Sequence, residues 1–172
     1  MLISKITDAD IIGGKAEYLN EVTRYGARGI LIDDNLNIAM MFMSKNGYYK
    51  LPGGGIEGSE TDEIAFLREV KEETGYGSVI VKRLGYIEEH KMQNKFMQIS
   101  YCFVARKNSD NQTVSFTDNE KALGFSSIWM TYENALGVMT KSFESCKDYS
   151  MRFILLRDKI ILESAYKVFE RV

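Results

Sequence analysis

The sequence predicts an α+β protein, a mixed sheet between helices, and three features carry that expectation. Segments with period-two alternation recur through the early and middle chain, one strongly patterned helical segment interrupts them, and the C-terminal part has helical spacing. The strands begin with Tyr25 to Asp33 and Asn37 to Lys45, joined at Asp34-Asn35 as a hairpin. A helix should follow Gly53, Gly54 and Gly55. Ser59 and Asp62 have the spacing of a capping box, and Gly75 suits the left-handed residue that ends a helix. Ser78 to His90 and Lys95 to Lys107 then alternate as paired strands, with Ile99, Tyr101, Phe103 and Ala105 on one face of the second. Asn108 to Gly124 is expected as a polar loop, Phe125 to Thr131 as a short strand and Tyr132 to Phe143 as a helix. From Tyr149 to Val172, the residues Ile154, Leu155, Ile161, Leu162, Ala165, Val168 and Phe169 fall at helical spacing, which predicts one long amphipathic helix on the sheet.

The 172 residues fit a single domain over 1–172, long enough to bury a sizeable core. With 22 basic and 24 acidic residues the net charge is −2, which supplies no electrostatic footprint for nucleic acid or an anionic membrane. The longest near-apolar runs, Ile38 to Met43 and Phe153 to Leu156, fall far short of the roughly 20 residues that cross a bilayer. Met1 to Lys15 lacks the basic start, long apolar core and small-residue cleavage site of a signal peptide, so a cytoplasmic location is expected. Cys102 and Cys146 are expected as buried, reduced thiols.

The segment Leu51 to Tyr76 holds the chemistry. Glu57, Glu60, Glu63, Glu69, Glu72 and Glu73 crowd it, and like charges on neighbouring helical turns repel. At about 100° per residue, Glu69, Glu72 and Glu73 share one arc of the helix, while Ile64, Leu67, Val70 and Thr74 form an apolar back. A cation makes such an acidic stripe comfortable, and hard carboxylate oxygens suit Mg²⁺, which binds through carboxylates together with substrate phosphates. Three glycines let the backbone approach a ligand closely, and Arg68 is placed to orient a carboxylate such as Glu60.

These residues resemble the signature of the Nudix (MutT-like) hydrolase family, G-x5-E-x7-R-E-U-x-E-E-x-G-U, where U is a large apolar residue. Gly54, Glu60, Arg68, Glu69, Val70, Glu72, Glu73, Gly75 and Tyr76 stand at its fixed positions, with Tyr76 a looser fit at the last. The resemblance implies an α/β/α sandwich and hydrolysis of a nucleoside diphosphate linked to another group. It implies Mg²⁺ as cofactor, with Mn²⁺ able to substitute. Glu69, Glu72 and Glu73 would be metal ligands, joined by the Gly53 carbonyl, and Glu69 or Glu72 would deprotonate the attacking water. It also implies a carboxylate from a later loop over the metal. Glu120 is the candidate there; Glu88, Glu89 and the single histidine, His90, are its rivals.

Beyond the signature, Met40, Met41, Met43, Met92 and Met97 either line an adaptable nucleobase pocket or pack the core, and Tyr48, Tyr49, Phe96 and Trp129 either stack on a base or fill the sheet. No proline follows Pro52, so the downstream proline of ADP-ribose hydrolases is missing, as are the extra motifs of NADH and coenzyme A hydrolases. These absences favour a nucleoside triphosphate, whether ordinary, modified or oxidised, cleaved to a monophosphate and pyrophosphate. A nucleotide sugar, a dinucleoside polyphosphate and a non-catalytic nucleotide sensor are the alternatives. The expected partner is the small nucleotide itself, with neither nucleic acid nor membrane, and a homodimer is left open.

Overall fold

The computed structural model describes residues 1–109 and 113–169. Its strands are β1 (Leu2–Thr7), β2 (Arg24–Ile32), β3 (Ile38–Met43), β4 (Tyr48–Lys50), β5 (Gly53–Gly55), β6 (Ser78–Lys91), β7 (Phe96–Lys107) and β8 (Phe125–Met130). The helices are α1 (Asp8–Ile12), α2 (Asp62–Thr74), α3 (Asp118–Leu123), α4 (Tyr132–Ser145), α5 (Tyr149–Ser164) and the short α6 (Tyr166–Phe169). The strands form one mixed sheet in the order β1-β6-β7-β2-β3-β4, with β5 added to β2 and β8 to β3.

Period-two alternation sorts the central strands between two cores. Ala27 and Leu31 of β2 join Phe103 and Ala105 of β7 on the face that receives Ala65, Phe66 and Val70 of α2. Ile30 and Ile32, with Cys102 and Val104, join the opposite face, which α4 and α5 cover through Ala135, Met139, Phe153, Leu155, Ile161 and Leu162. Helices on both faces of a mixed sheet make the expected α/β/α sandwich.

The antiparallel pair β6–β7 runs from Ser78↔Lys107 to Lys91↔Phe96, as the alternation predicts. The early hairpin needs correction. β2 and β3 pair only at Ile32↔Ile38 and then splay. β2 goes on to run parallel to β7 and to accept β5, while β3 takes β4 and β8. Local turn chemistry therefore specified the reversal but not the partners, which the two cores select. The edge strand β1, parallel to β6, had no expectation attached to it.

The C-terminal helix is shorter than its periodicity predicts. α5 ends at Ser164, and the chain turns at Ala165 so that Tyr166 and Phe169 dock on Tyr132, with ring centroids 5.7 and 4.8 Å away. Residues 170–172 of that predicted helix lie outside the described residues. Cys102 and Cys146 are buried and unpaired. No helix among the described residues is long and apolar enough to cross a membrane.

Candidate active site

Helix α2 starts two residues later than the expected cap. Thr61, not Ser59, is the N-cap; its Oγ1 accepts the Ile64 N–H at 3.2 Å. Gly75 closes the helix in the left-handed region at φ 77°, as predicted. Glu60 is thereby left outside the helix, where it receives the Glu57 N–H at 2.8 Å and a two-pronged hydrogen bond from Arg68: Nη2 to Oε1 at 2.8 Å and Nε to Oε2 at 3.1 Å. That guanidinium holds the Glu60 carboxyl below its usual pKa. Arg68 also donates to the Gly55 carbonyl at 3.0 Å, tying the glycine strand to the helix. The bracing role expected of Arg68 toward Glu60 is thus visible in geometry.

The helix face departs from expectation in an informative way. Its inward stripe is Phe66, Val70 and Glu73, an i, i+4, i+7 series, with Ala65 and Thr74 also buried, whereas Ile64 is exposed. Glu73 therefore lies under the helix, 1% exposed, instead of on an accessible front. Lys50 Nζ lies 2.7 Å from one of its oxygens and the Gly53 N–H donates to the other at 2.8 Å. Burial nevertheless pushes its pKa up to about 7, outweighing Lys50 and Gly53. The acidic stripe is a gradient, with Glu72 half-buried, Glu69 largely covered and Glu73 enclosed. Its cause is the side-chain-free strand β5, which lets helix and sheet approach closely. A Cβ on Gly54 would overlap the Glu69 carboxylate, and one on Gly53, whose φ is 139°, would overlap Arg28.

Arg68 Nη1 bridges Glu69 Oε1 at 2.9 Å and Glu72 Oε2 at 3.0 Å, drawing the two carboxylates together. Burial raises the Glu69 pKa against the pull of Arg68. Glu57, Glu69, Glu72, Glu73 and Glu120 line one cavity of about 260 Å³, with Arg24 and Arg68 as its cations. The donors are all hard oxygens in excess over the positive charges, which fits a divalent ion such as Mg²⁺. Among the described residues no three acidic, histidine or cysteine side chains already converge as metal ligands; arginine and lysine hold the carboxylates instead.

Glu120 arrives from a different element than expected. The Asn108 to Gly124 stretch is not all loop: it contains α3, and Glu120 sits in its first turn, where its Oε2 caps the helix by accepting the Thr117 N–H at 2.8 Å. Ser115 N–H donates to the Glu72 carbonyl at 2.7 Å, which pins this segment to the end of α2. Residues 110–112 of the expected loop lie outside the described residues. The rivals are elsewhere. Glu88 pairs with Lys5 at 2.9 Å, His90 receives the Leu19 N–H on Nδ1, and Glu89 is buried against Arg157 at 3.0 Å; none of the three lines the acidic cavity.

A second cavity of about 350 Å³ adjoins the first and shares Arg24, Gly54, Thr117 and Glu120 with it. Gly53 lines this one, together with Arg28, Lys50, Lys91 and Arg157 and the apolar Met43, Phe96, Phe125 and Met151. Of the methionines and aromatics singled out from sequence, Met43 and Phe96 border it, Met40 and Met41 are core, and Trp129 packs on Tyr76. Sequence reasoning missed the basic residues altogether. They come from β2, β4, β6 and α5, and no local spacing relates them.

The NUDIX domain family model matches residues 23–151, and the chain belongs to the Nudix family. It is 30% identical over 70 residues to a Bacillus subtilis (strain 168) protein named "Putative 8-oxo-dGTP diphosphatase", and 35% identical over 79 residues to "Putative nudix hydrolase 1" of Caenorhabditis elegans. Each match takes in 41% of this chain, and they cover 47% and 22% of those proteins. Among solved structures it resembles a NUDIX hydrolase from Nitrosomonas europaea (TM-score 0.57, 14% identity, 77% of this chain and 87% of that one). It also resembles a MutT protein from Methanosarcina mazei Go1 (TM-score 0.52, 20% identity, 82% and 96%). At these identities the structural likeness bears on the fold.

Proposed function

We propose that this protein is a divalent-metal-dependent hydrolase of the phosphoanhydride in nucleoside diphosphate derivatives, acting on a nucleoside triphosphate, modified or not, to give the monophosphate and pyrophosphate. The observation that carries this reading is the junction of an acidic, oxygen-donor cavity with a cationic and apolar one, shared at Glu120. The first suits a metal and the reacting phosphates, the second the nucleoside. Similarity to the Bacillus protein supports the triphosphate choice.

Glu69, Glu72, Glu73 and Glu120, with the Gly53 carbonyl, are the residues that would hold Mg²⁺ or Mn²⁺. When bound, such an ion neutralises phosphoryl oxygens and lowers the pKa of its water. Glu69 or Glu72 accepts the proton of the attacking water as the new P–O bond forms and the anhydride P–O bond breaks, pyrophosphate leaving with the electron pair. The covered setting that raises the Glu69 pKa also strengthens it as a base. Arg68 keeps both carboxylates within one small region, and Arg24 and Lys50, which line the second cavity, would face the phosphates of a bound nucleotide.

The test is a phosphate- and pyrophosphate-release screen over nucleoside triphosphates, dinucleoside polyphosphates and nucleotide sugars with Mg²⁺ or Mn²⁺. Turnover should stop in excess chelator, and Glu72→Gln should lower kcat by orders of magnitude, on the order of 10²-fold or more, with the fold retained. Full activity in chelator would end the metal mechanism, and preference for a nucleotide sugar would end the triphosphate assignment.

A further inference from the structure

Arg28 is buried with its Nε unsatisfied. It is 6% exposed, its Nε has no hydrogen bond, and among the described residues Asp158 and Glu89 attract its charge without closing an ion pair on it. Buried charges are ordinarily paired, because desolvation without compensation is costly. Its neighbours relieve it only in part: burial and Arg157 work against its charge, while Asp158 and Glu89 favour it. Arg157 is committed to Glu89 at 3.0 Å and to Asp158 at 2.8 Å, and Lys91 lies 3.4 Å from Glu89. Three cations thus face two carboxylates. The cations line the larger cavity, whereas Glu89 and Asp158 are wholly buried.

The period of β2 puts Arg28 there, on the face it shares with Ile30 and Ile32, and Gly53 opposite leaves room for its side chain. Phe96, Phe125, Met43 and Met151 supply apolar walls. Flat apolar walls over a floor of hydrogen-bond donors suit a planar ring with oxygen acceptors on its edge. An arginine carries five donors and no acceptor, so it attracts a keto oxygen and repels an exocyclic amino group.

We propose that Arg28 is a specificity-determining residue that reads the nucleobase, selecting keto bases over amino bases. This rests on the nucleotide-hydrolase reading above and goes beyond it by assigning the base chemistry. The preference requires no contact from the reacting phosphates, so it is measurable without turnover.

The experiment is calorimetric titration of wild type and Arg28→Met, in chelator, with IMP against AMP and UMP against CMP, pairs that differ at one edge by keto for amino. Wild type should bind the keto member about tenfold tighter or more in both pairs, since a site built of donors discriminates strongly against a mismatched polar edge. Arg28→Met should bring both ratios to within about twofold while keeping an unliganded melting temperature equal to or above wild type, because a buried charge with an unsatisfied donor has been removed. Ratios near one in wild type, ratios preserved in the variant, or a marked drop in the unliganded melting temperature would each overturn the inference. If none of the four binds although diphosphate derivatives are hydrolysed, base reading by Arg28 fails and the hydrolase reading stands. If selective, Arg28-dependent binding is found but no derivative is cleaved, the reverse holds.

Discussion

Glu120 stands where the acidic and cationic cavities meet, and under the proposed mechanism it would provide what one helix alone cannot. Glu69, Glu72 and Glu73 approach from α2, so in-line geometry at phosphorus needs a group from another direction. The capping bond from the Thr117 N–H fixes the Glu120 carboxylate to its own helix, while Ser115 anchors the segment to α2. Glu120→Gln keeps the side-chain shape and the cap acceptor, so kcat should fall, by about tenfold or more, with little change in KM. Glu88→Gln is the control, since Glu88 sits with Lys5 and His90 away from the cavity. Steady-state kinetics on the two variants, both checked for folding, decide the point: a larger loss of kcat in Glu88→Gln would remove Glu120 from the site.

Helix α5 is held by charge as well as by apolar packing. Phe153, Leu155, Ile161 and Leu162 bury one stripe, and between them Arg157 and Asp158 enter the core. Asp158 Oδ2 accepts the Leu51 N–H at 2.9 Å, just before the glycine strand, and Arg157 reaches Glu89 on β6. The element that covers the sheet thus also sets the loop leading to Gly53. A buried ion pair of this sort adds little net stability by itself, but removing one member leaves the other uncompensated. Glu89→Gln leaves Lys91 without its carboxylate and leaves Arg157 and Arg28 to share Asp158 alone, and urea denaturation should show a loss of roughly 3–5 kcal/mol. A loss under about 1 kcal/mol would mean that the network is hydrated or rearranges. The same logic makes truncation before Met151 destructive, since both the apolar stripe and the counterion of Glu89 go with it; soluble protein with an unchanged melting temperature would contradict burial of α5.

Over the whole molecule, the carboxylates divide into two groups with opposite pH behaviour. Glu60, Glu88 and Glu89 have pKa values below the ordinary 4.5, so the stability they contribute is present above 4.5 and is lost as pH falls through their folded values. Glu73 has a folded pKa raised to about 7 from 4.5. Its contribution is present below 4.5 and is lost as pH rises through about 7, because the unfolded chain releases the proton first. In chelator, wild type should therefore lose stability between about pH 4.5 and 7 relative to Glu73→Gln, which has no proton to release there. Parallel stability curves for the two proteins across that window would show that Lys50 keeps Glu73 ionised throughout.

Several features of this protein are determined locally and are legible in the residues. The spacing of Gly54, Glu60, Arg68, Glu69, Glu72 and Glu73 identifies the signature helix because hydrogen-bond capping and the 3.6-residue turn act over short separations. The long β6–β7 pair and α4 follow from periodicity for the same reason. Other features depend on which surfaces meet. The splaying of β2 from β3, the burial of Glu73 under its own helix and the helical seat of Glu120 all reflect competition for two cores. Helical periodicity placed Glu73 on the open face because it registers charge and spacing, not the close approach that three glycines allow. Arg24, Arg28, Lys50, Lys91 and Arg157 become one cavity lining only when β2, β4, β6 and α5 are brought together. The unsatisfied Nε of Arg28 is likewise decided by tertiary structure, since a buried group has a partner or lacks one only after the chain has taken it out of water.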